Sequence, residues 1–308
     1  MRFPTGLFLF VSLHSMAALA APLQAQEDGG IATARQVAEA NNAFGVALYR
    51  EFAQAETGNV VFSPFSLSSA LALTATGARG QTEKELWQAL QLDLPRERVA
   101  AGYAAITEEF TWGTRDPDLT TLTVANALWP QQGCALKPEF LDVARRQFGA
   151  EVTLLDYAQP AAAAERINKW IAAKTAGLIP SLVGPAQFGP LTRLALCNAV
   201  HFKASWLNDF SGEATKPERF TLLDRTRIEV PTMRRTAWFQ TASADGCRLL
   251  RMPYAVGAFE FVVVLPKAVD GLGEIERTLD RQRLQHWMER LEEAKSQYLA
   301  LELPKFKT

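Results

Sequence analysis

The sequence predicts an α+β fold, with helices in most of the first half and strands in most of the second. Amphipathic helices are predicted as far as Lys174, most strands follow Leu194, and strict alternation of strand and helix is absent. The chain has 308 residues, 48% of them hydrophobic and 21% charged, which is ordinary globular composition. No repeat or low-complexity linker marks a domain boundary, so one domain is expected over residues 34–308.

The helices are predicted from apolar spacing and from capping residues. Apolar side chains recur every three to four residues from Ala34 to Ala55. Ser63 and Pro64 suit the cap and the first position of a second helix that reaches about Thr76. Thr82 to Glu85 resembles a capping box that opens a third helix. Further helices are predicted at Arg96 to Phe110, Pro138 to Phe148, Ala162 to Lys174 and Leu279 to Glu292.

The strands are predicted from alternating or continuous apolar runs bounded by turn residues. A short strand is predicted directly before Ser63, and the last one ends at Pro304 near the end of the sequence. The predicted strands are Asn59 to Phe62, Leu122 to Trp129, Glu151 to Leu155, Leu194 to Phe202, Phe220 to Leu222, Arg227 to Val230, Ala237 to Thr241, Arg248 to Met252, Phe259 to Leu265 and Tyr298 to Leu303.

The residues alone do not predict an enzyme. The sequence lacks a G-x-S-x-G elbow and an H-E-x-x-H motif, and the glycines of Asp270 to Arg277 are interpreted as turn residues. Three separated cysteines exclude a disulfide framework, and no histidine and cysteine spacing predicts a metal site. With 32 basic and 33 acidic residues, no nucleic-acid surface is expected either. We expect no catalytic residues, no cofactor and no metal.

The first 25 residues are predicted to be an export signal. One basic residue, Arg2, precedes an apolar run from Gly6 to Leu13 and small residues from Ala17 to Ala21. No later stretch is long and apolar enough to predict a membrane span. The protein is therefore expected to be secreted, either extracellular or periplasmic.

Seven segments, in this order, resemble the serpin family. The resemblance runs from about Gln36 to the last residue, and the coincidence of seven motifs is far more specific than any one of them. They are NVVFSPFSLSSALALTATGARGQTEKEL from Asn59, LTVANALW from Leu122, INKWIAAKTAGLIPSLV from Ile167, LALCNAVHFKASWLNDF from Leu194, VPTM from Val230, RMPYAVGAFEFVVVLP from Arg251 and LELPKFK from Leu301.

The resemblance implies a single domain of three β-sheets and eight or nine helices, monomeric when intact. It also implies an inhibitor of serine or cysteine proteinases, with the target proteinase as the partner. In that mechanism a reactive-centre loop is cleaved as a substrate and inserts as a new strand into the central sheet.

Four residues carry over to structural positions of the family. Ser63, Ser66 and Asn198 match the shutter, a polar cluster beneath the place where the central sheet opens, and Trp206 matches the breach tryptophan. Ser63 is equally a plain helix cap, and Trp206 is equally a large core aromatic. An amide inside the apolar strand of Asn198 costs free energy unless it is hydrogen-bonded, so a partner is expected.

The resemblance also implies that the strand at Tyr298 to Leu303 is the sixth of the central sheet. The helix, the strands and the reactive-centre loop that follow it in the family are not in the printed sequence, so a C-terminally truncated fragment is expected. The strand would then lack its neighbour and the run Phe259 to Leu265 would lose cover. An exposed apolar area of several hundred Å² forfeits on the order of 10 kcal/mol, so aggregation without inhibition is predicted.

Two alternatives remain open at this point. One is a non-inhibitory serpin, a carrier or folding helper, or an inactive truncated product. The other is an enzyme on an unrelated α+β fold, against which the missing nucleophile and base motifs count.

Overall fold

A computed structural model describes residues 27–55, 58–114, 116–222, 224–257 and 259–306. The export signal predicted over the first 25 residues lies outside these ranges. No described helix is long and apolar enough to cross a membrane.

The described ranges contain eight α-helices and one 3₁₀ turn at Pro185–Gln187. The helices are α1 (Glu27–Ala55), α2 (Pro64–Gly77), α3 (Gln81–Ala89), α4 (Arg96–Gly113), α5 (Pro138–Phe148), α6 (Pro160–Lys174), α7 (Leu272–Thr278) and α8 (Arg281–Glu292). The strands are β1 (Thr120–Pro130), β2 (Glu151–Val152), β3 (Leu194–Ala204), β4 (Lys216–Thr221), β5 (Arg227–Ala244), β6 (Cys247–Pro253), β7 (Glu260–Pro266) and β8 (Ser296–Pro304). The predicted α+β class is confirmed.

Internal contacts group the chain into two compact units. The helical unit comprises the described residues of 21–44 and 63–203, and the sheet unit those of 45–62 and 204–308. Each is described below by itself.

The helical unit contains a three-stranded sheet in the order β2-β1-β3. β1 runs parallel to β2, with Ala127 opposite Glu151. One side of the sheet is covered by α6, whose buried residues Ile167, Trp170 and Ile171 recur at helical spacing. The Trp129 and Trp170 rings meet edge to face at 6.1 Å between centroids. These contacts anchor β1, the middle strand, to a helix.

The sheet unit is built on the 18-residue strand β5. Its first six residues pair with β4, its middle nine with β8 and its last five with β6, which in turn pairs with β7. The five-stranded sheet therefore has four ladders, three of which share the long strand β5. α7 and α8 cover one face, where Leu249, Val262 and Val264 pack against the fully buried Trp287.

The prediction that the terminal strand lacks a neighbour is wrong. β8 pairs with β5 over nine consecutive residues, from Ser296 opposite Gln240 to Pro304 opposite Thr232. Leu303 is buried, and Leu299 and Leu301 are half-buried. The alternating pattern identified the strand, but strand pairing depends on distant residues that local alternation does not specify.

The prediction that Phe259 to Leu265 would lose cover is met only in part. Phe259, Phe261, Val262 and Val264 are buried. Val263 and Leu265 instead line a groove of about 930 Å³, to which Leu299 and Leu301 of β8 also contribute. Aggregation of the 308-residue chain stays a prediction, and this groove is its remaining basis.

Three local predictions are also corrected. Residues Asn59 to Phe62 form no strand in the described part of the chain, and Val61 is 62% exposed. Thr82 does not cap α3, because Gly80, with φ of +66°, holds the N-cap position. The segment from Asp270 to Arg277 is not only a turn, since α7 begins at Leu272. That helix buries Leu272 and Ile275, and Leu279 follows at helical spacing.

Candidate functional site

The first turn of α2 places Ser63 and Ser66 side by side. Ser63 has extended backbone angles, and its Oγ accepts a hydrogen bond from the Ser66 N–H at 3.2 Å. Pro64 fills the first helical position, where a missing N–H costs nothing. Ser63 is therefore a helix cap, which typically contributes about 1 kcal/mol. The hydrogen bond to Ser63 holds the backbone of Ser66 in the first turn of α2 and so positions the Ser66 side chain.

A chain of hydrogen bonds runs from Ser66 through two asparagines. The Ser66 hydroxyl donates to Oδ1 of Asn198 on β3, and Nδ2 of Asn198 donates to Oδ1 of Asn126 on β1 at 2.8 Å. Asn126 Nδ2 then donates to the carbonyl of Phe148 at 3.0 Å and to Ser69 Oγ at 3.3 Å. We call Ser66, Ser69, Asn126 and Asn198 the polar cluster.

The polar cluster joins four elements of the helical unit. Its members come from α2, β1 and β3, and the Phe148 carbonyl belongs to the end of α5. Asn126 and Ser69 are 4% and 3% exposed, so each polar atom depends on these partners. A buried group left without its hydrogen bond costs roughly 1–3 kcal/mol. The cluster thus holds helix and sheet in one arrangement.

The expected partners of the Asn198 amide are present: Ser66 was among the predicted site residues, and Asn126 was not. Asn126 also lies inside an apolar strand, β1. Its buried amide needs hydrogen-bond partners for the same reason as that of Asn198. The sequence signal for Asn126 was an amide side chain inside the apolar segment LTVANALW, which was predicted to be a strand.

α2 has a second polar attachment, next to the polar cluster. Ser68 Oγ donates to Asn41 Oδ1 on α1 at 2.7 Å and to the Phe65 carbonyl at 3.2 Å. Ser68 is 1% exposed. Burial raises the pKa of neighbouring Tyr103 well above its ordinary value, so this phenol stays neutral. Hydroxyls and amides without charge make up this region, and such groups can position elements and exchange hydrogen-bond partners.

Trp206 lies in an aromatic cluster of the sheet unit. Its ring stacks on Tyr254 with centroids 4.5 Å apart and meets Phe261 and Phe210 edge to face. Trp206 pairs with Tyr254 through a backbone bridge, and Leu207 N–H donates to the Pro253 carbonyl at 3.0 Å. Burial raises the pKa of Tyr254 to about 12. Trp206 is half-buried and packed among other aromatic rings, and its role as the breach residue stays a proposal.

The cysteines and potential metal ligands do not add a site. Cys134, Cys197 and Cys247 are free thiols, and burial raises the pKa of the last two. Among the described residues, no three His, Cys, Asp or Glu side chains lie close enough to hold a metal ion.

Comparison with known proteins identifies the family. The family model described as Serpin (serine protease inhibitor) matches residues 39–308. The chain is 34% identical over 278 residues to Iripin-2 of Ixodes ricinus, covering 88% of this chain and 68% of that protein. It is 30% identical over 280 residues to leukocyte elastase inhibitor A of Rattus norvegicus, covering 88% of this chain and 73% of that protein.

The fold agrees with a solved structure of the same family. Serine protease inhibitor (serpin)-12 of Manduca sexta superposes with a TM-score of 0.79 at 29% identity, covering 87% of this chain and 73% of that one. The family match covers most of the chain, from a point within α1 to its last residue. The chain belongs to the serpin family.

Proposed function

We propose that the intact protein is a secreted inhibitor of serine-type endopeptidases that acts by cleavage and insertion of a reactive-centre loop. The observation that supports this most directly is the match of residues 39–308 to the serpin family. The polar cluster, which ties β3 to α2 by hydrogen bonds between neutral groups, is compatible with a sheet that opens. Inhibitors are also among its relatives, including one named for leukocyte elastase. Cysteine proteinases are a second class of target in this proposal.

The position of β3 suits strand insertion. Within the described residues β3 is the last strand of the order β2-β1-β3, so one of its edges has no ladder partner in that sheet. Most of its side chains are half-buried, and Asn198 is tied to α2 and β1 at its centre. A strand added at this edge would gain ladder hydrogen bonds with β3. The uncharged amide and hydroxyl groups of the polar cluster could then change hydrogen-bond partners as the strand enters. In this proposal Ser63, Ser66 and Asn198 act as the shutter and Trp206 as the breach residue.

The reaction needs no catalytic group of this protein. The nucleophile of the target proteinase attacks the carbonyl carbon of the scissile peptide bond in the loop, the C–N bond breaks, and the residue after it leaves as a free amine while the residue before it stays as the acyl-enzyme. Loop insertion then carries the acyl-enzyme away before hydrolysis. The inhibitor contributes a metastable fold, whose persistence depends on a kinetic barrier and not on the lowest free energy.

Complex formation tests this proposal. The full-length encoded protein is incubated with pancreatic elastase, chymotrypsin, trypsin and papain, and the products are separated in denaturing detergent. We expect a detergent-resistant complex at the summed mass with at least one serine proteinase, absent when that enzyme's nucleophile is blocked beforehand. Cleavage of the protein by every active enzyme without a stable complex would exclude inhibition by trapping.

A carrier role is a second candidate, favoured by the groove of about 930 Å³ in the sheet unit. Its wall includes Val263, Leu265, Leu299 and Leu301, which could cover an apolar molecule. The same assay separates the two functions, because a carrier forms no covalent complex with any proteinase.

Export is also part of the proposal, on the pattern of Arg2, Gly6 to Leu13 and Ala17 to Ala21. N-terminal sequencing of the mature protein from the culture medium or periplasm should find the first 20 to 25 or so residues removed. An intact Met1 on protein that stays in the cytoplasm would contradict export.

A further inference from the structure

Two large aromatic side chains lie exposed beside each other on the sheet unit. Trp238 of β5 and Tyr298 of β8 are directly opposite in the antiparallel ladder. Their exposed fractions are 65% and 64%, and their ring centroids lie 5.6 Å apart with the planes tilted by 53°. The two rings therefore form one continuous aromatic surface open to solvent.

Sheet stability does not account for this exposure. A cross-strand aromatic pair strengthens a ladder, but much of the benefit of a large ring comes from burial. The neighbouring residue Phe239 points to the opposite face and is 3% exposed, so the strand does bury an aromatic where a core exists. Gln240 lies on the same face of β5 as Trp238. Its Nε2 donates to the carbonyl of Ala294, just after α8, so the chain after α8 covers this face at Gln240. Trp238 and Tyr298 form the next row of the ladder on this face, beside the segment that follows α8.

The next two rows of the ladder carry small or polar side chains. In the ladder Thr236 faces Ala300, and the next row holds Arg234 opposite Glu302. Arg234 Nη2 donates to Glu218 Oε1 at 2.7 Å and lies 3.1 Å from Glu302 Oε1, so this guanidinium is shared between two carboxylates. The ladder rows beside the two rings, together with Glu218, therefore offer one hydroxyl group and two carboxylates that share the positive charge of Arg234.

We propose that this face binds a neutral oligosaccharide. Apolar C–H faces of hexopyranose rings would stack on Trp238 and Tyr298, where exposed aromatic area is available for burial. Hydroxyl groups of the sugar would bond to Thr236 and to the carboxylates of Glu218 and Glu302, which accept hydrogen bonds. Anionic polymers fit less well, because Arg234 is already shared between two carboxylates and Lys216, opposite Thr232, is the next cation along this face. A protein partner would require a wider apolar centre than two rings.

Calorimetric titration of the full-length encoded protein with maltohexaose and, separately, cellohexaose tests the proposal. We expect at least one of these neutral glucans to bind, and Trp238→Thr to weaken that binding by about tenfold or more. Threonine retains strand propensity, and an unchanged far-UV circular dichroism spectrum verifies folding. Tyr298→Phe keeps the ring and should stay within about twofold of the parent affinity, whereas Tyr298→Ala should weaken it.

Three results would overturn the proposal. They are the absence of binding by both glucans at millimolar concentration, an affinity that Trp238→Thr leaves unchanged, and a concentration-dependent dimer in sedimentation that Trp238→Thr abolishes. In the last case a second copy of the chain, and not a sugar, covers the two rings.

Discussion

The polar cluster of the helical unit and the apolar core of the sheet unit hold their elements together by different physical means. In the core, Trp287 packs among aliphatic side chains of β6, β7, α7 and α8, and small displacements keep most of these contacts. In the cluster, Ser66, Asn198 and Asn126 depend on single directed hydrogen bonds. Directed bonds fix one arrangement and are lost together once an element moves.

The largest effect is expected in the apolar core. Trp287→Ala removes a fully buried ring and the 2.9 Å hydrogen bond from its Nε1 to Asp245 Oδ2. We expect a loss of about 3–5 kcal/mol in the free energy of unfolding measured with urea. Trp238→Ala, the same change at a 65% exposed site, serves as the control and should cost about 1 kcal/mol or less. Equal losses at both sites would refute this account of the core.

A smaller but still large effect is expected in the polar cluster. Asn126→Ala removes the donor to Ser69 and Phe148 and the acceptor from Asn198. The expected loss is about 2–3 kcal/mol, because buried partners remain unpaired. Asn42→Ala, at an exposed position of α1, is the matched control and should be nearly neutral. The cluster would be unimportant for stability if the two variants unfolded at the same urea concentration.

The smallest effect is a pH dependence outside both regions. The hydrogen bond from Lys174 to Glu151 lowers the pKa of this carboxyl below its ordinary value, and the atoms lie 2.6 Å apart. The stabilisation is present above the unfolded-state pKa and is lost as pH falls through the lower folded-state value. Both side chains are about a third or more exposed, so we expect well under 1 kcal/mol.

The comparison with Glu151→Gln measures this contribution. The parent should be slightly more stable than the variant near neutral pH, and the difference should shrink on acidification below about pH 4. A difference that grows on acidification would have the wrong sign for a lowered carboxyl pKa.

The elements most fully predictable from sequence are those with local signals at both ends. α5 runs from Pro138 to Phe148 as predicted, because proline suits its first position and Gly149 takes the left-handed C-cap conformation with φ of +58°. α7 was not predicted, because the glycines of this segment are typical of turns, although Leu272, Ile275 and Leu279 recur at helical spacing. Apolar periodicity was the stronger signal there.

Long-range partners were the part that sequence reasoning could not supply. Alternation identified β8, yet its pairing with β5 depends on residues about 60 positions away in the chain. The need for a partner at Asn198 followed from elementary energetics, whereas the identity of Asn126 required the register of two strands. The exposed pair of Trp238 and Tyr298 depends on another long-range register, that between β5 and β8.

A double-mutant cycle at Asn126 and Asn198 tests most directly the claim that the polar cluster acts as one unit. Urea unfolding is measured for the parent, Asn126→Ala, Asn198→Ala and the double variant. Because the first substitution already breaks the bond that joins the two amides, the double variant should lose about 1–2 kcal/mol less than the two single losses combined. Additive losses, agreeing within about 0.5 kcal/mol, would show that the asparagines act independently and contradict this account.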